Sequence, residues 1–205
     1  MSDLHCAATL LLARHGEAEY ESTLLSDAGG SLTPRGRDQS AALAERLRDA
    51  RVAAVYCSDL ARAVQTAEIV AARLGVGVRV RAGLREWSVG AFAGREDAPG
   101  LFDPTLDAWA AGDLEARLPG AESGAEILDR VRGALQAIVD EHRGETVLVV
   151  GHGGVLPFVV SQLAGRPPGH DGRGFPHCGV AEVAADADGW LLKRWPATDL
   201  MEKPV

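Results

Sequence analysis

The chain has 205 residues, with 21 Lys+Arg against 29 Asp+Glu, a formal net charge of −8, 46% hydrophobic residues and 24% charged ones. That length and mix suit one α/β domain, or two small ones at most, with a real core, and they exclude intrinsic disorder. The acidic balance argues against nucleic acid and anionic membrane surfaces as partners, since both need clustered Lys/Arg.

In chain order, residues 9–13 form a short apolar run suited to a buried strand, which ends in Arg14-His15-Gly16. Residues 17–32 are polar and glycine-bearing, a loop. Thr33-Pro34 reads as an N-cap followed by proline in the first turn, opening a helix to about Ala50. Residues 52–57 make a second strand. Ser58 is placed to cap the next helix, where Leu60, Ala63, Ala67, Val70 and Leu74 keep helical spacing. Residues 76–80 suggest a third strand. Residues 85–122 are broken by glycine and proline, with one short helix expected around 106–111. Ser123-Gly-Ala-Glu126 is a capping box for a helix with Ile127, Val131, Leu135 and Ile138 on one face. Residues 146–150, the most strand-like run, lead straight into Gly151-His152-Gly-Gly. A helix near 154–164, a Pro/Gly-rich loop at 165–176 and a strand pair at 179–185 and 190–195 complete the chain.

This alternation predicts an α/β fold: a three-layer α/β/α sandwich with a mostly parallel central sheet. Nothing in the composition splits residues 1–205 into two domains, and residues 85–122 read as a small cap insertion. Cys6, Cys57 and Cys178 lack CxxC spacing, which argues against a disulfide framework and for a reducing compartment. Asp3 stands where a signal peptide would be basic, and no stretch reaches the roughly 18 apolar residues of a membrane span. The expectation is a soluble cytoplasmic protein, with oligomeric state left open.

In an open parallel sheet, ligands bind beyond the carboxyl ends of the strands. Arg14-His15-Gly16, the stretch from Ser58 to Arg62, and His152-Gly-Gly each follow a different predicted strand, and Leu84-Arg85-Glu86 adds a carboxylate. A lone histidine after a strand is most often a turn residue, and a lone glutamate in a loop a solvated charge. Arg62 near a helix start is disfavoured by the helix dipole, which hints at an anion beside it. Their shared placement at one sheet edge is what speaks for a site. Arginine forks match phosphate oxygens, and a neutral imidazole is a competent nucleophile toward phosphorus. A second histidine can donate to the transferring group, and a carboxylate with a raised pKa can serve as acid and then base. The set is complete for phosphoryl transfer through a phosphohistidine.

The segments from Leu10 to about Ala164 resemble the histidine phosphatase superfamily, in the branch of cofactor-dependent phosphoglycerate mutases and related small phosphatases. The resemblance rests on Leu-Leu-Ala-Arg14-His15-Gly16-Glu17, Leu32-Thr-Pro-Arg-Gly36, the run from Ser58 to Ala67, Leu84-Arg-Glu86, Pro119-Gly-Ala-Glu-Ser123 and Gly151-His152-Gly-Gly154. It implies that His15 becomes phosphorylated, that Arg14, Arg62 and His152 hold the phosphoryl group, and that Glu86 is the proton donor. Gly16 and Gly153 complete the expected substrate-binding set, and no metal or cofactor is expected.

The chain departs from the family pattern at Ala18 and Glu21, where Thr or Ser and Asn are frequent, and at Glu86-Trp-Ser-Val-Gly90. Residues 95–123 hold no paired arginines for a phosphoglycerate carboxylate and second phosphate. The reading is a metal-independent phosphatase acting on a small phosphomonoester. The alternatives are a phosphoglycerate mutase and a weakly catalytic phospho-ligand binding protein. Trp87 and Trp109 read as pocket lining or core. His170, His177 and Cys178 match no zinc spacing, and His5 and His142 read as surface residues. The glycines form neither a GxGxxG motif nor a P-loop. Substrate choice is expected to lie in residues 85–122 and 165–176.

Overall fold

A computed structural model describes residues 6–20, 23–165 and 174–196. Its centre is a six-stranded sheet of β1 (Ala8–Arg14), β4 (Val52–Cys57), β5 (Val78–Val80), β6 (Thr146–Gly151), β7 (Val180–Asp186) and β8 (Gly189–Arg194), ordered β5-β4-β6-β1-β7-β8. The first four in that order are parallel. β7 runs antiparallel between β1 and β8. β1 and β6 lie side by side in the middle, with Leu12 opposite Val149, which is why both read as unbroken apolar runs.

The period of two in these strands divides the core. Leu10, Leu12, Tyr56, Val147 and Val149 face one side, where α4 (Gly124–Glu141) and α5 (Val155–Ala164) bury Ile127, Val131, Leu135, Ile138, Leu156 and Val159. Leu11, Ala13, Val55, Cys57, Leu148 and Val150 face the other, against Leu43 and Leu47 of α1 (Pro34–Leu47) and Ala63, Ala67 and Val70 of α2 (Ala61–Leu74). The result is the mostly parallel three-layer sandwich that the alternation of elements predicts.

Two caps are as the sequence predicts. Thr33 accepts from the Gly36 amide at the start of α1, and Ser123 and Glu126 form the capping box of α4. Ser58 is different. α2 starts from Leu60 with no side-chain cap, and the Ser58 hydroxyl is engaged elsewhere. The 17–32 loop contains a ribbon of β2 (Ala18–Glu19) and β3 (Ser31–Leu32), too short to leave an alternation in sequence. The short helix expected at 106–111 is α3 (Asp103–Ala110), which starts earlier because Pro104 fits its first turn.

His142 corrects the surface reading: it is 7% exposed, its Nε2 lies 2.9 Å from Tyr56 Oη and its Nδ1 2.6 Å from Glu145 Oε2. The C-terminus of α4 folds back against β4, a tertiary contact that helical spacing cannot report. Trp109 is 2% exposed and belongs to the core, edge-on to Trp87. Trp87 is half-buried and faces a pocket. No helix among the described residues is long and apolar enough to cross a membrane. His5 and His170 lie outside the described residues.

Candidate active site

The carboxyl ends of β1, β4 and β6 are neighbours, so the turns that follow them converge. Arg14 closes β1, and its Nη1 donates to the Phe175 carbonyl at 2.9 Å. His15 follows, 4% exposed, its amide donating to Gly151 O at the end of β6. Its Nδ1 donates to the Gly16 carbonyl at 2.7 Å, which fixes the tautomer and leaves the lone pair on Nε2. That lone pair accepts from Arg62 Nε at 3.1 Å. Burial lowers the His15 pKa to about 3, with the Arg62 and Arg14 charges and His177 adding to it against the Gly16 hydrogen bond. The ring is held neutral, with its Nε2 lone pair turned to Arg62.

His152 follows β6 and is fully buried, its ring 5.3 Å from that of His15. Its Nε2 lies 2.7 Å from Ser58 Oγ. Ser58 Oγ also accepts from the Leu60 amide at 3.4 Å; with its own proton directed to Nε2, the imidazole proton would sit on Nδ1. Burial and the neighbouring His15, Arg62 and Arg14 hold the His152 pKa well below the usual histidine range. His152 Nδ1 and Arg14 Nε are both buried without a hydrogen-bond partner among the described residues. An orphaned buried polar group costs about 1–3 kcal/mol, and a guanidinium N–H together with a His152 Nδ1–H would fit an anion that accepts from both.

Arg62 sits in the first turn of α2, buried, with Nη1 on the Ala28 carbonyl at 3.3 Å. Gly29 makes room for it: its φ is +66°, and any Cβ there would run into Arg62 Nη1. Gly153 does the same for Arg14, because a Cβ would stand 2.7 Å from Arg14 Nε.

Glu86 reaches the site from the turn after β5. Its Oε2 accepts from the Gly154 amide at 2.9 Å and its Oε1 from the Trp87 amide at 3.2 Å. The residue is half-buried, and desolvation of its carboxyl raises the pKa above the usual glutamate value against those two amides and the Arg62 charge. Arg14, His15, Arg62, Glu86 and Gly153 all line one pocket of about 490 Å³. Its outer wall is Leu24, Leu25, Val89 and Phe102 with Trp87, the hydroxyl residues Tyr20, Thr23 and Ser26, and two carboxylates, Asp27 and Asp97.

The structure therefore brings together six of the residues expected from sequence: Arg14, His15, Arg62, Glu86, His152 and Gly153. Gly16 does not line the pocket. Its amide donates to Thr66 Oγ1 at 3.0 Å, and a Cβ there would lie 2.5 Å from the Gly36 carbonyl, so it serves by orienting His15. Ser58 and Thr66 carry no site signal of their own in sequence. Both sit in the Ser58–Ala67 run, but one reads as a cap and the other as a helix-face residue. His177 lies with its ring 5.8 Å from that of His15, and Cys178 donates its amide to the Arg14 carbonyl at 3.0 Å, so this stretch supports the β1 turn. No group of three or more metal-ligating side chains occurs among the described residues. Glu21 lies outside them.

Known proteins resemble this chain over most of its length. The sequence profile described as "Histidine phosphatase superfamily (branch 1)" matches residues 10–198. The probable phosphoglycerate mutase GpmB of Salmonella choleraesuis is 30% identical over 193 residues, covering 90% of this chain and 88% of that protein. A mycobacterial glucosyl-3-phosphoglycerate phosphatase solved with VO3 is 27% identical, with a TM-score of 0.75 over 93% of this chain and 99% of that one. Bacillus stearothermophilus YhfR is 29% identical, with a TM-score of 0.73 over 91% and 96%.

Proposed function

The chain belongs to the histidine phosphatase superfamily, and from that premise we propose that it is a phosphomonoester hydrolase working through a covalent phosphohistidine at His15. The carrying observation is the constellation around His15 Nε2: one tautomer fixed by Gly16 O, Arg62 Nε in contact, and two orphaned buried nitrogens, Arg14 Nε and His152 Nδ1. Glu86 shares the pocket.

In the first step a phosphoryl oxygen takes over the Arg62 Nε–H, freeing the His15 lone pair to attack phosphorus. The P–O bond to the leaving group breaks as the P–N bond forms. Glu86, protonated, gives its proton to the departing oxygen. Arg14, Arg62 and His152 Nδ1–H hold the three phosphoryl oxygens through both steps. In the second step the Glu86 carboxylate takes a proton from water as its oxygen attacks phosphorus. The P–N bond breaks, inorganic phosphate leaves, and His15 and Glu86 return to their starting states. The guanidiniums supply the charge neutralisation that a metal provides in other phosphatases, so activity should survive EDTA.

The name of the Salmonella relative favours a second reading, a mutase that returns the phosphoryl group to another hydroxyl. The outer wall speaks against it. A phosphoglycerate carries a carboxylate besides its phosphoryl group, and here that end would meet Asp27 and Asp97 with no cation among the described residues of the outer wall, only the hydroxyl residues Tyr20, Thr23 and Ser26. Residues 85–122, which supply Trp87, Val89, Asp97 and Phe102, act as the specificity cap of one catalytic unit, in a cytoplasmic protein acting on small phosphorylated metabolites.

Steady release of phosphate from p-nitrophenyl phosphate, with label recovered on His15 after an alkaline quench and peptide mapping, is the expected result. Label on His152 alone would reverse the assignment. Interconversion of 2- and 3-phosphoglycerate with little free phosphate would establish the mutase instead. Binding of phosphate esters without turnover would leave a phospho-ligand binding protein.

A further inference from the structure

Glu86 must deliver a proton to one oxygen and later collect one from water, yet it stands in an irregular turn after a three-residue strand. What holds it comes from α4. Arg130 Nη1 donates to the carbonyls of Gly83 and Arg85, at 2.9 and 3.1 Å, so one nitrogen grips the chain immediately before Glu86. The other edge of the same guanidinium, Nε and Nη2, makes a two-point contact with Glu122 at 2.7 and 2.8 Å. Glu122 in turn directly precedes Ser123, the cap that locks the start of α4. Gly83 packs so tightly on the helix that a Cβ would lie 2.9 Å from that of Ala134.

We propose that Arg130, oriented by Glu122, is a positioning residue for the acid–base step at Glu86. The proposal rests on the reading of the protein as a phosphohistidine phosphatase. Arg130 and Glu122 line a separate hollow that Glu86 also borders and from whose walls Arg14, His15 and Arg62 are missing, and the Arg130 charge acts on His152 more weakly than those of Arg62 and Arg14 do. The work requires a planar fork. A guanidinium meets two carboxylate oxygens along one edge and two carbonyls from a third nitrogen, and an ammonium cannot satisfy that geometry. With the fork in place, Glu86 Oε2 is held on the Gly154 amide beside His152. Without it, the segment keeps buried Leu84, the exposed Arg85–Asp59 pair and the Ser88 and Val89 bonds to Asp27, none of which grips the Gly83 and Arg85 carbonyls.

A merely structural arginine would lower stability, or slow all substrates alike. A positioning residue must reproduce the signature of its client. The test is kcat/KM of the full chain for an alkyl phosphate and for p-nitrophenyl phosphate, whose leaving group barely needs a proton. In Arg130→Met the alkyl ester should lose about 10- to 100-fold, the scale of a misplacement near 1 Å, and the aryl ester far less. Arg130→Lys should not restore the alkyl rate. Glu122→Gln, which keeps the packing and loosens the fork, should shift the alkyl-to-aryl ratio in the same direction by less. It carries the test should Arg130→Met fail to fold. In the Glu86→Gln background, Arg130→Met should add little further loss of alkyl turnover. Equal losses for both esters, or additive losses in that double variant, would overturn the proposal while leaving the phosphatase reading intact. A wild-type protein that hydrolyses neither ester would overturn both.

Discussion

The two ends of the pocket are built differently. At the phosphoryl end, Arg14, His15, Arg62 and His152 come from strand ends and one helix start, and most are held by contacts from two or more elements. At the leaving-group end, Leu24, Asp27, Val89, Asp97 and Phe102 come from irregular segments. These are joined to each other by a Leu24–Glu96 bridge and by Asp27 accepting from the Val89 amide at 2.7 Å. The first end has the rigidity that reaction geometry demands, and in the proposed reaction its groups meet the anion common to every phosphomonoester. The second hangs on loops, where side chains change without disturbing the sheet. Substitutions at the inner end should therefore cost the same for all substrates, and substitutions at the outer end should sort them.

The largest effect belongs to the proposed nucleophile. His15→Ala should reduce turnover by more than about 10,000-fold for every ester, with far-UV circular dichroism unchanged, because the ring sits past the strand end. A substrate that escaped this loss would mean that the two ends are not chemically distinct. Next comes Glu86→Gln, at the boundary between them. Alkyl phosphates should slow by roughly 100- to 10,000-fold, and p-nitrophenyl phosphate much less in its first step, with phosphoenzyme accumulating as a burst of p-nitrophenol. Because Glu86 must start protonated and its pKa is raised, the wild-type alkyl rate should fall as pH climbs through that pKa. Equal losses for both esters without a burst would reduce Glu86 to a spacer.

Arg62→Ala should cost about 2–5 kcal/mol in kcat/KM, uniformly across a substrate panel. A cost confined to one substrate would move Arg62 to the outer end. Phe102→Ala should do the opposite, lowering kcat/KM by about 10-fold for an aromatic ester while leaving a small alkyl phosphate near wild type. The smallest effect concerns stability. The folded protein resists protonating His15 until about pH 3, whereas the unfolded chain binds that proton near pH 6.5. The unfolded state thus holds more protons between those values, and stability should decline as pH falls from 6.5 toward 3. Thermal unfolding of His15→Asn across that range should show a shallower decline. An unchanged slope would assign it to other groups.

Much of this was legible in sequence because two periodicities are local. The alternation in the central strands and the faces of α2 and α4 report which residues are buried, and the caps at Thr33 and Ser123 report where helices begin. The motif residues were legible too, since Arg14, Arg62 and His152 stand at strand or helix ends where an open parallel sheet puts ligands. What was missed involves partners far apart in the chain. Ser58 looks like a helix cap until His152, 94 positions on, arrives at 2.7 Å and takes its hydroxyl. His142 looks exposed until the end of α4 meets Tyr56.

Composition, pattern and motif order by themselves determined the class of fold, the family and which residues gather at the inner end of the pocket, because each depends on residue identity and on spacing within one element. Tertiary structure alone decided which tautomer His15 holds, which nitrogens stay orphaned, how deeply the Glu86 carboxyl is buried, and that a guanidinium on α4 grips its turn. Those depend on distances of a few ångströms between segments separated by dozens of residues. Hydrogen bonding and desolvation change steeply over such distances, and no local pattern carries them.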